Sequence, residues 1–446
     1  MKRFVSFLLL VFLLFSLTLP LGYAEKAAIP DVLRFSQKIG QAQYVRDQQY
    51  IQRTYPNTAN AQVNKAMTAL IDGMADTARP FLPKGRIELM PSYLDVGATI
   101  FRTGAQWMSF LTIARIAYER EQVYVDFDAR VYDMVSGDRL ALTDLFAPDS
   151  PAWDLMAQEV RAQLSDYFIT ETPDTQALEA LCQREALENA AFTLTPGKIE
   201  LHYRADALYS GKNTLLHVRL YYSAWRPLMT ERGQEITDNS NYKMLALTYD
   251  DGGARGASNN VLNKLRQFGA NATFFIIGEQ MSKNHDVMSR QQDAGYAMAS
   301  HNYSHEYELL TPDRILPWKD QFDREMDSII GVRPAYMRAP GGHFQVFIDS
   351  GVGLPLIQWS NNSSDAGNDN EGQVVDNVMR NAKDGDVVLL HDLNPIAYRY
   401  TETILQRLEA KNILCVTLDE LYDHFGQTLE PNQVYYGCAD IAKGLQ

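Results

Sequence analysis

From residue 243 onward the chain repeats one pattern, and nothing else in it constrains the fold as much. A short apolar run ends in a polar cluster, and an amphipathic segment with helical spacing follows. The first run, Leu245-Ala246-Leu247, leads into Thr248-Tyr249-Asp250-Asp251-Gly252, and Val261, Leu262, Leu265 and Phe268 then form a helical face stopped by Gly269. Residues 272–277 read as the next strand, followed by a helix ending at Gly295. Val374, Val375, Val378 and Met379 precede the run 386–390, and Ile404, Leu405 and Leu408 precede 413–417. Alternating strands and helices predict parallel strands with crossover helices, in an open sheet or a barrel.

Three further strand ends carry polar clusters. Residues 296–300 lead into His301-Asn302-Tyr303-Ser304-His305, Tyr336-Met337 into Arg338-Ala339-Pro340-Gly341-Gly342, and 386–390 into His391-Asp392. Reactive residues of barrels gather where strands end at their carboxyl side, so the four clusters are expected to converge. Asp is depleted from strand interiors, so the Asp250-Asp251 pair at a strand end calls for a turn, a cap or a chemical use.

The first half reads differently. Val63, Met67, Leu70, Ile71 and Met74 recur at helical spacing, and after Pro83 the period switches to two, as in Val123, Val125, Phe127, Ala129 and Val131. Val135-Ser136-Gly137-Asp138 predicts a hairpin turn, 151–168 a helix, and 199–203 and 215–222 further strands. This is a smaller α+β domain with an antiparallel sheet, over 45–228. His202 and His217 fall in strand patterns and read as sheet packing, with a paired ligand role as the alternative. Residues 229–242 are polar and read as a linker, 243–425 as the strand–helix domain and 426–446 as a C-terminal tail.

The 446 residues suffice for two or three domains. A formal charge of -14 without a basic run excludes nucleic acid as a partner. Lys2-Arg3 and the apolar segment 4–21, closed by Gly22-Tyr23-Ala24, read as a signal peptide spanning 1–24 or a membrane anchor, so the protein is expected secreted or membrane-anchored, outside the cytoplasm. Three cysteines, Cys182, Cys415 and Cys438, are too few for a disulfide framework, and Cys415 sits in an apolar run as a small hydrophobe.

Two histidines four apart lie on one face of a helical turn, and Asp251 adds an oxygen donor. One carboxylate and two imidazoles leave coordination positions open, the pattern of a catalytic site for one divalent ion; zinc suits it, as do cobalt and manganese. Water on such an ion has a pKa of about 7 and still benefits from a base. Asp250 is placed for that, with Arg338 to keep it ionised and oriented. His391 is the candidate acid, held protonated by Asp365 or Asp392. A backbone N–H near Gly341 can serve an oxyanion.

With these residues assembled, 243–425 resembles the polysaccharide deacetylases, carbohydrate esterase family 4. Thr248 to Gly252, His301 to His305, Arg338 to Gly342, Trp359-Ser360-Asn361-Asn362-Ser363-Ser364-Asp365 and Leu389-Leu390-His391 match five motifs in order, and Ala272-Thr273-Phe274-Phe275 is also familiar. The resemblance implies a distorted, incomplete (β/α) barrel and metal-dependent hydrolysis of acetyl groups on glycans. It implies Asp250 as base, Asp251, His301 and His305 as metal ligands, and His391 as acid tuned by Asp365. Arg338 would orient Asp250, Leu389 would line the acetyl pocket, and Gly341 would offer its N–H. Asn302, Gly341-Gly342, Asn362 and Ala366 depart from the family's commoner residues, which bears on substrate preference. In the first half, Ser136-Gly137 followed by Leu142-Thr143-Asp144-Leu145-Phe146 resembles the extracytoplasmic domain of anti-sigma-factor type found upstream of some secreted deacetylases. The expected substrate is an envelope glycan, first the N-acetyl sugars of peptidoglycan. Chitin oligomers and O-acetyl-xylan are alternatives within the enzyme class, and an inactive glycan-binding or envelope-sensing protein is the alternative outside it.

Overall fold

The structure, a computed structural model, describes residues 29–40, 42–45, 49–83, 92–252, 255–307 and 310–438. The apolar segment 4–21 and the cleavage position after Ala24 lie outside the described residues. Among the described residues, no helix is long and apolar enough to cross a membrane.

The first half holds a seven-stranded sheet in the order Phe35–Ile39, Gln49–Thr58, Ser92–Thr103, Trp107–Tyr118, Glu121–Asp133, Arg139–Leu140, with Gln43–Val45 also pairing to Gln49–Thr58. Its neighbours run antiparallel except Gln49–Thr58 against Ser92–Thr103, which run parallel. Helix Ala61–Ala78 lies in that crossover; it starts on Asn60, whose side chain accepts from the N–H groups of Gln62 and Val63. Val63, Met67, Ile71 and Met74 bury its sheet-facing side at the expected spacing. Gly137, at φ 85, sits in the expected turn before Arg139–Leu140. Helix Ala152–Ser165 buries Trp153, Met156, Val160 and Leu164 against a second, three-stranded antiparallel sheet of Phe192–Leu194, Lys198–Arg204 and Leu215–Tyr221.

Several expected boundaries move. The first domain is not confined to 45–228, because the edge strand Phe35–Ile39 pairs with residues 54–58, a contact distant in sequence that leaves no local periodicity. The segment 229–242 is not an open linker. Glu231–Ile236 is a helix capped by the Thr230 hydroxyl, Asn239 and Tyr242 are buried, and the Tyr242 hydroxyl donates to the Gly104 carbonyl at 2.8 Å. Thr230, Thr237, Asn239 and Tyr242 bond backbone groups, while Glu231, Arg232, Glu235, Asp238, Ser240 and Asn241 face solvent. Nor is 426–438 a free tail, since Val434–Tyr435 pairs with Leu356–Ile357 and Cys438 is fully buried. All three cysteines are free and buried.

The second half is built on one central strand, Lys243–Asp251. Thr273–Ile276 and Val387–His391 flank it, and Ile413–Val416 pairs with its first residues. One side continues through Ala297–Ser300, single bridges at Met337, Leu356–Ile357 and Val434–Tyr435; the other continues to Asn361–Asn362. Every pairing is parallel. The sheet therefore curls, and its two sides are joined in sequence by the few residues between Ile357 and Asn361.

Residue parity along the central strand sorts its side chains. Leu245, Leu247 and Tyr249 pack with Val261, Leu262 and Leu265 of helix Arg255–Phe268, whereas Met244 and Ala246 pack with Phe275, Ala299 and Val387 inside the curl. Thr248 and Asp250 continue the inward row. The halves meet through polar contacts: Glu420, fully buried, accepts from Thr195 and Gly197 and lies 3.5 Å from Lys198 Nζ, and the buried Arg102 pairs with the half-buried Glu409 at 2.5 Å.

Candidate active site

Register brings the four clusters together. Asp250 is opposite His391 across one strand pair and Phe275 across the other; Ile276 is opposite Ser300, which bridges to Met337. His301 and Arg338 are thus the next residues along neighbouring strands, all leaving the sheet at its carboxyl edge.

Asp251 would face the outer helices if the strand simply continued. Instead its φ is 79, a left-handed conformation that few non-glycine residues hold, and the turn brings its carboxylate in beside the histidines. Oδ1 of Asp251 lies 3.7 Å from His301 Nε2 and 3.5 Å from His305 Nε2. The expected helical turn at 301–305 does not form: residues 301–307 are irregular and Asn302 adopts φ 65. The short amide of Asn302 tolerates that conformation and donates to the Ser304 carbonyl at 2.9 Å, so the two rings meet through a kinked loop, centroids 5.3 Å apart.

His301 Nδ1 faces the Arg338 carbonyl at 2.9 Å and must carry the proton, since a carbonyl only accepts. That leaves Nε2 as a lone pair toward Asp251. Burial pushes the imidazole below its ordinary pKa, against the pull of Asp250 and Asp251, so the ring is held neutral. Asp251 Oδ1 is buried without a hydrogen-bond donor. Asp251, His301 and His305 each offer a ligand atom within 4.8 Å of the others. An orphaned carboxylate oxygen between two imidazole nitrogens is the donor set a divalent cation takes, and the residues fit one.

Asp250, 3% exposed, lies on the other side. Arg338, fully buried, donates from Nη1 to Asp250 Oδ1 at 2.7 Å and to Thr248 Oγ1 at 2.8 Å, from Nε to the Ile357 carbonyl at 3.0 Å, and from Nη2 to the Gln358 carbonyl at 3.1 Å. Its guanidinium lies 4.1 Å from the Phe275 ring centroid. Asp250 therefore has one oxygen fixed, and its Oδ2 is 3.7 Å from His301 Nε2.

Of the two carboxylates considered for His391, the structure selects Asp365. His391 Nδ1 is 2.8 Å from Asp365 Oδ1, and the His391 N–H donates to Oδ2 at 2.8 Å. Asp392, one residue along, falls on the opposite side by parity; it is fully buried, accepts from the Gly252 N–H at 3.2 Å, and is pushed up to about 7 by burial and then by the Asp251 charge. Burial opposes the His391 imidazolium, yet the Asp365 hydrogen bond and charge, with Asp250 and Asp251 behind them, raise it to about 9. The same hydrogen bond, with donors from Tyr400 and Ser363 at 2.8 Å each, holds Asp365 below its ordinary range despite its burial. Thr248, Ser363 and Tyr400 escaped the sequence reading; Thr248 and Ser363 lie inside quoted motifs, but nothing marks Tyr400 except its place in the helix after His391. Leu389 precedes His391 by two and is 7% exposed, and Gly341, at φ 59, lies on the rim.

The buried cluster of Glu200, His202 and His217 resolves as packing. His202 and His217 join Nδ1 to Nδ1 at 2.9 Å, His217 Nε2 donates to the Gln292 carbonyl at 2.7 Å, and Thr193 meets His202 Nε2 at 2.9 Å. Every ring nitrogen is engaged. Burial lowers both rings, to about 3 and about 4, so they stay neutral.

The polysaccharide deacetylase family pattern matches residues 237–349, which include Asp250, Asp251, His301, His305 and Arg338. Peptidoglycan-N-acetylglucosamine deacetylase PgdA of Listeria monocytogenes is 30% identical over 209 residues, 46% of this chain and 44% of that protein. A peptidoglycan-N-acetylglucosamine deacetylase of Bacillus cereus is 32% identical over 163 residues, 34% of this chain and 74% of that protein. Peptidoglycan-N-acetylmuramic acid deacetylase PdaC of Bacillus subtilis is 28% identical over 191 residues, 42% of this chain and 40% of that protein. The chain thus spans less than half the length of the Listeria relative. Together with 74% coverage of a relative at 32% identity, the matched pattern places this chain in the polysaccharide deacetylase family.

Proposed function

We propose that this protein is a metal-dependent hydrolase that removes acetyl groups from an envelope glycan, the N-acetyl sugars of peptidoglycan first. The observation that carries the reading is the orphaned Asp251 oxygen between His301 and His305, with a paired carboxylate on one side and a carboxylate-held imidazole on the other. Asp251, His301 and His305 would hold one divalent cation, with zinc the first choice. Such a cation supplies a Lewis acid for the acetyl carbonyl and acidifies water. Asp250 takes the proton of the attacking water, and Arg338 keeps it aimed. His391, protonated by its partnership with Asp365, gives its proton to the departing amine nitrogen, so water and amide become acetate and free amine. The Gly341 N–H serves the oxyanion, and Leu389 lines the space for the acetyl methyl. The relatives named for peptidoglycan sugars support the substrate class. An extracytoplasmic location, through secretion or membrane attachment by 4–21, and a wall-contacting role for the first half belong to the same proposal.

Purified protein is expected to carry one zinc per chain, and Asp251→Ala or His301→Ala protein well under half of that, measured by atomic emission. Acetate release compared across peptidoglycan fragments, chitin oligomers and acetylxylan tests the substrate. Asp250→Asn protein that folds and still releases acetate at the wild-type rate would sink the assignment.

A further inference from the structure

Beside His305 two rings lie face to face. Tyr307 and His343 stack with centroids 5.0 Å apart and planes 10° from parallel, and the His305 ring meets Tyr307 edge-on at 5.8 Å. His343 is exposed and Tyr307 half-buried, so the outer ring of the stack faces solvent. The pair is built by the chain around it. Gly341, at φ 59, has no side chain, and a Cβ there would come 3.0 Å from the His343 ring and 3.6 Å from Tyr307. Gly342, at φ 76, is bare on the other flank, where a Cβ would meet the Trp359 ring at 3.2 Å. The backbone of Gly341-Gly342 thus runs as a bare strip between the stack and Trp359, next to the candidate metal ligands.

We propose that the Tyr307–His343 stack is a sugar platform: it receives the apolar C–H face of the pyranose next to the acetylated one and makes the site prefer oligosaccharides to small acetyl compounds. The inference rests on the deacetylase reading above. A flat aromatic face and the axial C–H groups of a pyranose are complementary, and two rings already stacked lose little freedom when a third layer is added. Bare glycines on the floor let the sugar approach the main chain.

The test uses the full chain loaded with zinc, a chitin oligomer and a small phenyl acetate ester. In His343→Ala and Tyr307→Ala proteins the oligomer KM is expected to rise roughly tenfold with kcat nearly kept, so oligomer-over-ester selectivity falls by the same factor. His343→Phe, which keeps a flat ring, should restore most of it. Equal losses on both substrates, or zinc content falling with the ring, would overturn the platform in favour of support for His305. Oligomer binding to Asp250→Asn protein, followed by calorimetry, needs no turnover. If His343→Ala in that background does not weaken binding, the platform fails whatever the enzyme hydrolyses. If it does weaken binding while wild-type protein releases no acetate, the platform stands and the deacetylase reading falls.

Discussion

His391→Ala protein should release acetate about 10²–10⁴-fold more slowly than the wild type at neutral pH, with its fold and zinc content retained. The size follows from the role: a positioned acid contributes that much when the departing amine must be protonated. The pH dependence carries a sign that distinguishes an acid from a bystander. As the proposed acid His391 has to be protonated, and its pKa is raised to about 9 by Asp365 and the neighbouring carboxylates against the effect of burial. Activity should therefore fall on the alkaline side as the imidazolium is lost. A bound dication works in the opposite direction, so in the loaded protein that limb lies below about 9. Asp365→Asn removes the charge that holds the proton, and the limb should move to lower pH with the maximum rate reduced. A limb that stays in place in Asp365→Asn protein would separate His391 from the chemistry. Stability follows the same linkage. The folded value exceeds the ordinary 6.5, so the His391–Asp365 contribution is fully present below about 6.5 and disappears as pH rises through about 9.

Arg338→Met should be the most destabilising single change at the site, by about 3–5 kcal/mol in urea unfolding. Arg338 is fully buried, and its donors reach Asp250, Thr248 and the carbonyls of Ile357 and Gln358. Methionine fills much of the volume but leaves the Asp250 carboxylate in the interior with no cation, and two carbonyls lose their donors. Asp250→Asn in the same protein removes the stranded charge. The double variant is therefore expected to be more stable than the sum of the two single losses allows. An Arg338→Met cost below about 1 kcal/mol, or strictly additive losses, would mean that the pair does not organise this core. Acetate release should also fall in Arg338→Met protein, because Asp250 loses the donor that fixes its Oδ1.

The site residues themselves were legible because they sit on a repeated local pattern. A parallel strand buried on both faces must be apolar until it ends, so Asp250, His301, Arg338 and His391 stand out where each run stops. The helices were readable for a related reason: Val63, Met67, Ile71 and Met74 bury one stripe, and that stripe is a local periodicity. Apart from the helical turn expected at 301–305, what failed was whatever depends on partners far along the chain. Phe35–Ile39 has its mate near Thr54–Thr58, and Val434–Tyr435 its mate at Leu356–Ile357, so neither shows as a strand in its own composition. The segment 229–242 looked like a connector because the polar Thr230, Thr237 and Asn239 that bond the protein read the same as the exposed polar residues beside them, and a sequence does not say whether water or the main chain takes a hydrogen bond.

The sequence by itself determined which residue types stand at the carboxyl ends of the strands and that the strands run parallel. Residue alternation then fixes that Thr248 and Asp250 share one face and Tyr249 the other. The residues alone left His391 with Asp365 or Asp392, and the family resemblance pointed to Asp365; the tertiary structure sets the ring against Asp365, because that choice depends on which side of the sheet edge each carboxylate leaves. It also decided that Asp251 turns toward the histidines, through a backbone angle of 79° that residue identity does not specify. Local pattern is set by neighbours in the chain; the meeting of donors around one point is set by register and by backbone turns, and those are properties of the folded whole.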